Sequence, residues 1–438
     1  MSDKATRIDL FSLRTVPMRI FHLTWLAFFV CFFAWFSAAP LMPVISKEFG
    51  LTAGQVADIN IAAVAATILV RLIVGPLCDR YGPRRVYTWL MILGAIPVFA
   101  LPFAYDYTTV LLCRLGIGAI GASFVITQYH TSVMFAPNVV GTANAASAGW
   151  GNAGGGVAQA VMPMLFAAAL WFGLQDSSAW RAALVVPGIA MLLMAAAYWR
   201  WGQDCPQGDY LELRRQGVQV EGGKKGGWAS FVAAGANYRV WMLFVTYGAC
   251  FGLELFIHNI AAMYYVNHFH LTLEGAGLAV GVFGLLALFA RALGGWVSDK
   301  LARRRGLGAR PVLLAVMMVG EGLGLLWFSH EESAALAIVA MAVFGLFTHM
   351  ACGATYALVP FIDRKALGGV AGIVGAGGNV GAVAAGFVLK GVGDIQQTII
   401  WLGSFVIASA VCALAVRFSQ GHAASMQAGV LTADAASR

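Results

Sequence analysis

The chain has 438 residues, 60% of them hydrophobic and only 11% charged, with a mean hydropathy of +0.77. Soluble domains carry about 25% charged residues, so this composition excludes a soluble protein of such length. The net charge of +8 reads as the excess Lys and Arg that membrane proteins place in loops on one side, not as a nucleic-acid footprint.

A membrane-crossing helix needs roughly 20 mostly apolar residues, and the chain can be divided on that basis. Residues 1–19 are a polar lead-in with Lys4, Arg7, Arg14 and Arg19. They run straight into a full-length apolar segment without a small-residue cleavage pattern, so no signal peptide is read here. Apolar segments follow at about 20–43, 55–78, 86–104, 109–135, 141–172 and 179–200. Residues 201–236 are hydrophilic, contain Gly-Gly pairs and lack an apolar period, which marks a linker. Six more segments lie near 238–266, 273–298, 310–328, 333–361, 367–390 and 396–417. The Ala/Ser-rich residues 419–438 are expected to be a disordered tail. The prediction is an all-α integral membrane protein with twelve spans, in bundles at 20–200 and 237–418. Of the seven cysteines, Cys31, Cys78, Cys113, Cys250, Cys352 and Cys412 lie in or beside apolar runs, so no disulfide framework is indicated.

With twelve spans, the termini and the even-numbered connections share one side. That side holds 22 of the 28 Lys and Arg residues, and the other holds Lys47, Arg181 and Lys390. The remaining three, Arg71, Arg114 and Arg291, lie inside spans. The positive-inside rule then predicts cytoplasmic termini and a cytoplasmic linker in a bacterial inner membrane.

The two halves also share a motif. RLIVGPLCDRYGPRR, from Arg71 to Arg85, returns as RALGGWVSDKLARRR from Arg291 to Arg305. Arg71, Gly75 and Asp79 correspond to Arg291, Gly295 and Asp299 at a constant offset of 220 (291−71, 295−75, 299−79). An arginine within a bilayer costs a few kcal/mol or more, so it faces a cavity or a partner. Asp79 and Asp299 are two turns from their arginines, about 12 Å, too far for direct pairing. Glu254 and Glu321 are the carboxylates placed well inside spans, against three arginines, which leaves the interior short of negative charge. A planar guanidinium with forked donors suits a small planar oxyanion such as nitrate or nitrite, although chloride and phosphate remain open on charge alone.

A second repeat is rich in glycine. AGWGNAGGG in span 5 includes Gly151, Asn152, Gly154 and Gly155, and GIVGAGGNVGAV in span 11 includes Gly375, Gly377, Gly378 and Asn379. Small residues let membrane helices pack closely. Gly375-x-Gly377 is only a weak match to a dinucleotide-binding loop, since no β-strand precedes it and it lies inside a membrane-length apolar run. Packing does not account for the asparagines, since a buried amide needs a partner and can donate to an anion.

Six spans, a linker, six spans and an internal repeat resemble the major facilitator superfamily. Gly75, Asp79, Gly82, Arg84 and Arg85 resemble its gating motif, and Arg114 with Gly118 its Arg-x-x-x-Gly motif. The paired glycine–asparagine stretches closely resemble the signatures of the nitrate/nitrite porter family within it. FVITQYHTSVMF, GTANA, YGACFGLEL and GATYALVPF look like the branch of assimilatory nitrate importers. This resemblance implies an alternating-access transporter binding nitrate or nitrite through Arg71, Arg291, Asn152 and Asn379. It further implies an aromatic slot from Phe124, Tyr247, Phe251 and Phe344, with Phe347 as the alternative in span 10.

Import against a negative potential needs a coupling ion, and protons are expected. Candidate carriers are Glu254, Glu321, His130, His258 and His349, with Arg114 as a tuning group, and the preferred set is Arg114, Glu254 and His258. Nitrate/nitrite antiport is the rival mode. A membrane sensor would need a larger soluble segment, and an oxidoreductase would need ordered haem or metal ligands, whereas the eight histidines are dispersed. The reading is therefore a transporter, expected to be monomeric, with the lipid bilayer as its surroundings and no nucleic acid, metal, cofactor or catalytic residues.

Overall fold

A computed structural model describes residues 4–136, 139–218, 227–363 and 366–418, so the tail at 419–438 lies outside the described residues. Among the described residues, twelve helices are long and apolar enough to cross a membrane. Spans 1 to 6 are Val16–Phe49, Ala53–Tyr81, Pro83–Phe103, Tyr107–Met134, Val140–Trp171 and Asp176–Trp201. Spans 7 to 12 are Tyr238–Phe269, Leu273–Arg305, Ala309–His330, Ala334–Phe361, Gly369–Val392 and Ile395–Ala415. Helices are the form such segments take because each satisfies its own backbone hydrogen bonds in a medium without water. Their ends are written locally. Thr52 and Gln55 form a capping box at the start of span 2, Asp394 caps span 12, and span 1 ends at left-handed Gly50.

The glycine repeats dock corresponding helices in each half. A Cβ on Gly154 would land on the Phe29 carbonyl of span 1, and one on Gly377 would land on the Phe244 carbonyl of span 7. Gly151 and Gly378 play a related part, since a Cβ on either would strike the ring of Phe28 or Phe251 respectively. Span 5 thus lies against span 1 as span 11 lies against span 7, backbone to backbone.

The halves meet on the side opposite the termini. There Lys390 of span 11 donates to Asp58 of span 2 at 2.7 Å, and Gly386 packs on Ile61. Span 5 crosses span 8 where Gly156 meets Gly284. Arg114 of span 4 donates to Asn259 of span 7 at 2.7 Å, and Gln159 of span 5 donates to the His258 carbonyl at 2.6 Å. On the terminal side, by contrast, a Cβ on Gly75 or Gly295 would meet nothing within 4 Å. The two bundles are closed together on one side and unpacked one turn beyond each arginine on the other.

The linker differs from its sequence reading. It carries helices at Tyr210–Arg215 and Gly227–Gly235, and Phe231 of the second packs against Gly372 of span 11. These helices are short and gain stability from tertiary contact, so no apolar period announces them.

Gly154→Ala and Gly377→Ala are expected to destabilise the protein by about 1–3 kcal/mol through overpacking. The thermal midpoint in detergent should fall by a few degrees for each, with no such fall for Gly75→Ala, whose Cβ enters open space.

Candidate functional site

Arg71 and Arg291 project from spans 2 and 8 toward the boundary between the halves, and each lies over an aromatic ring. The Arg71 guanidinium is 5.4 Å from the centre of Phe124, and that of Arg291 is 5.2 Å from the centre of Phe251. The rings continue between them. Tyr247 stacks on Phe251 with centroids 5.1 Å apart, Tyr356 meets Tyr247 edge-on at 5.0 Å, and Phe124 lies 6.5 Å from Tyr356. An aromatic wall therefore joins two cations contributed by corresponding helices of the repeat.

The polar partners are not symmetric. Arg71 donates to two carbonyls, Gly375 of span 11 at 3.2 Å and Gly121 of span 4 at 3.4 Å. Asn379 donates to the same Gly375 carbonyl at 3.4 Å, which brings the second-signature asparagine to the first arginine. Arg291 instead donates to the buried Glu254 carboxylate at 2.5 Å. Among the described residues no carboxylate pairs with Arg71, whereas Glu254, one of the two carboxylates set against three arginines in the sequence, pairs with Arg291. Glu254 is 37 residues away in sequence, so only the packing of span 7 on span 8 brings the pair together. Spare donors and acceptors remain. The Nε atoms of both arginines, both amide atoms of Asn152 and Oδ1 of Asn379 have no hydrogen-bond partner among the described residues.

Other sequence-assigned residues are distributed more widely. Phe344 packs against Phe283 and Phe328, and Phe347 against Gly320. Tyr356, which sequence reasoning missed, supplies the span 10 aromatic. One tyrosine among many apolar-run aromatics carries no distinguishing signal. Arg114 is buried on the Trp35 carbonyl at 3.0 Å and on Asn259. The His258 ring lies between Phe36 of span 1 and Phe283 of span 8. A Cβ on Gly155 would press on Phe36 and His258, and one on Gly375 would come within 3.1 Å of the Tyr356 hydroxyl. His349 is the histidine that reaches Glu254, its Nδ1 3.4 Å from the carboxylate.

The motif beyond Arg71 closes on the linker. Asp79 accepts from the Tyr129 hydroxyl at 2.9 Å, while Arg214 donates to the carbonyls of Asp79 and Arg80 at 2.6 and 2.7 Å. Arg84 pairs with Asp209 and stacks over Trp199, and Arg85 is exposed. Asp204 binds the backbone amides of Arg84 at 2.8 Å and Tyr210 at 2.9 Å. Gly82, at φ +86°, is required twice, because a Cβ there would also collide with the Asp204 carboxylate. In the second copy Asp299 pairs with Arg310 at 2.7 Å, within its own half.

A duplicated twelve-helix body, with paired cations between halves closed on one side, defines a membrane transporter of the alternating-access class. The Major Facilitator Superfamily model matches residues 24–385, and the chain belongs to that superfamily, in its nitrate/nitrite porter branch. It is 40% identical over 382 residues to High affinity nitrate transporter 2.5 of Arabidopsis thaliana, covering 87% of this chain and 75% of that one. It is 36% identical over 421 residues to High-affinity nitrate transporter 2.3 of Oryza sativa subsp. japonica, covering 95% and 81%. Identity to Nitrate/nitrite transporter NrtP of Nostoc punctiforme is 29% over 435 residues, covering 83% and 85%. A solved bacterial homologue of the human lysosomal transporter Spinster shares the fold at TM-score 0.73 and 15% identity, covering 93% of this chain and all of that one. The nucleoside transporter NupG does so at 0.66 and 13%, covering 92% and 100%.

Burial pushes the Asp204 carboxyl up to about 6, and the amides of Tyr210 and Arg84 only partly oppose this. In the unfolded chain the group titrates near about 3.9. The folded state therefore binds this proton more tightly, and the associated stability is present below about pH 4 and lost as pH rises through about 6. Thermal melts of the wild type should show this decline between those values, and Asp204→Asn should remove that component of the pH dependence.

Proposed function

We propose that this chain imports nitrate, and nitrite with it, by rocking its two bundles about an anion held between Arg71 and Arg291, with protons as the coupling ion. The observation that carries this reading is the pair of guanidiniums on corresponding helices, joined by the wall of Phe124, Tyr356, Tyr247 and Phe251. A flat anion can lie on such a wall while the forked donors grip its edge. Unpartnered amide groups of Asn152 and the spare arginine donors supply further hydrogen bonds. The names of the relatives, high-affinity nitrate transporters and nitrate/nitrite transporters, agree with this chemistry.

Proton coupling is favoured by energetics. Moving one negative charge inward against the membrane potential costs about 2.3 kcal/mol per 100 mV, which a net influx of protons can offset. The distribution of Lys and Arg supports an inner-membrane orientation with both termini and the linker in the cytoplasm. The motif of Gly75, Asp79, Gly82, Arg84 and Arg85 then serves as a cytoplasmic latch, with Gly295 and Asp299 as its altered counterpart. One chain supplies both arginines, so a monomer suffices for binding.

Purified protein in nitrite-free proteoliposomes should accumulate labelled nitrate when the outside is made acidic. Accumulation that requires internal nitrite would replace symport with exchange, and absence of nitrate transport in both conditions would sink the reading. Arg71→Lys should reach the membrane in normal amount yet lower nitrate uptake about 10- to 100-fold, as expected when a charge-assisted hydrogen bond of about 1.5–3 kcal/mol is lost. Uptake with near-wild-type affinity in that variant would remove the substrate role from Arg71.

A further inference from the structure

Glu254 touches more than Arg291. The His349 Nε2 atom lies 3.0 Å from the Phe283 carbonyl, and a carbonyl only accepts, so Nε2 carries a hydrogen. In the neutral ring Nδ1 is then a bare acceptor, and it faces Glu254 Oε2 at 3.4 Å. Two acceptors pointed at each other repel, whereas one proton placed between them makes a hydrogen bond. Neither Nδ1 of His349 nor Oε1 of Glu254 has a hydrogen-bond partner among the described residues. The pair is one proton short of satisfaction.

The other groups around Glu254 do not fill this role. Arg291 approaches from span 8, and from span 10 come His349 and Cys352, whose Sγ is 3.8 Å from Oε2. His258 is one turn further along span 7 and is held between two phenylalanines, while Cys250 precedes Glu254 by one turn. Glu321 of span 9 lies beside Cys250 and Thr348. Tyr247 lies on the aromatic wall.

We propose that Glu254 and His349 form a one-proton site linked to the anion at Arg291. The inference rests on the nitrate reading of that arginine. With no anion bound, the Glu254 carboxylate neutralises Arg291. When the anion takes the guanidinium, two negative groups share one cation, and a proton from water adds between Glu254 Oε2 and His349 Nδ1. The carboxylate becomes neutral or is paired with an imidazolium, and no other bond changes. By linkage the anion favours protonation and the proton favours anion binding, which couples the two fluxes through one guanidinium.

The test is nitrate binding to the purified full chain in weakly buffered detergent, with proton uptake followed by a pH indicator. Over the pH range in which nitrate binding adds a proton to the pair, the wild type should take up about one proton per nitrate, and its affinity should fall about tenfold per pH unit. Glu254→Gln should bind nitrate without proton uptake or pH dependence, and His349→Gln should shift the midpoint of the affinity profile. Nitrate binding by the wild type with no proton taken up overturns the proposal without recourse to any variant. So does wild-type pH dependence in Glu254→Gln, or loss of that dependence in Glu321→Gln or His258→Gln instead. A wild type that binds no nitrate overturns the nitrate reading itself, and the proposal with it.

Discussion

A guanidinium that cannot lose its charge, held where water is scarce, is the constraint to which the rest of this structure responds. It must be compensated by dipoles, by a carboxylate or by cargo. The two halves answer differently. Arg71 is held on the carbonyls of Gly121 and Gly375, one from each half, so its compensation depends on the halves being together. Arg291 is held by a full negative charge from its own half. A helix carbonyl offers only a partial charge, so Arg71 remains the cation with most to gain from an anion. Arg291 can receive one only by sharing or releasing Glu254.

The glycines make this arrangement possible by bringing backbones close enough for carbonyls to act as ligands. Span 11 approaches span 7 at Gly377 because no side chain intervenes, and Gly375 then presents its carbonyl to both Arg71 and Asn379. The same device, with Gly156 against Gly284, lets span 5 of one half lie on span 8 of the other. Interfaces built from small residues and a few polar pairs, such as Asp58 with Lys390 and Arg114 with Asn259, can part without exposing large apolar surfaces. That is a suitable construction for a seam that opens once in every transport cycle.

The motif after Arg71 adds a second asymmetry. Arg84, Asp204, Asp209 and Arg214 tie the end of span 2 to the linker, whereas in the second copy Asp299 and Ser298 both bind Arg310 within their own half. The linker is therefore bound to the first half on the terminal side, while Phe231 further along it rests on span 11 of the second.

Much of this was legible in the residues. Twelve apolar segments, the charge imbalance between sides and the 220-residue repeat determine a duplicated membrane bundle, because hydrocarbon thickness and backbone satisfaction allow little else. The arginines and glycine–asparagine stretches stood out because charge and amide groups are costly at that depth. Glu254 stood out as a carboxylate within a span but not as the partner of Arg291, and Tyr356 did not stand out at all. Glu254 and Tyr356 are far from their neighbours in sequence, and every span is apolar on lipid-facing and core-facing sides alike, so no periodicity tells which face turns inward. The sequence by itself determined that two buried cations lie on corresponding helices. Only the packing of spans 7, 8 and 10 decided that one of them already has a carboxylate, and that a histidine stands against it.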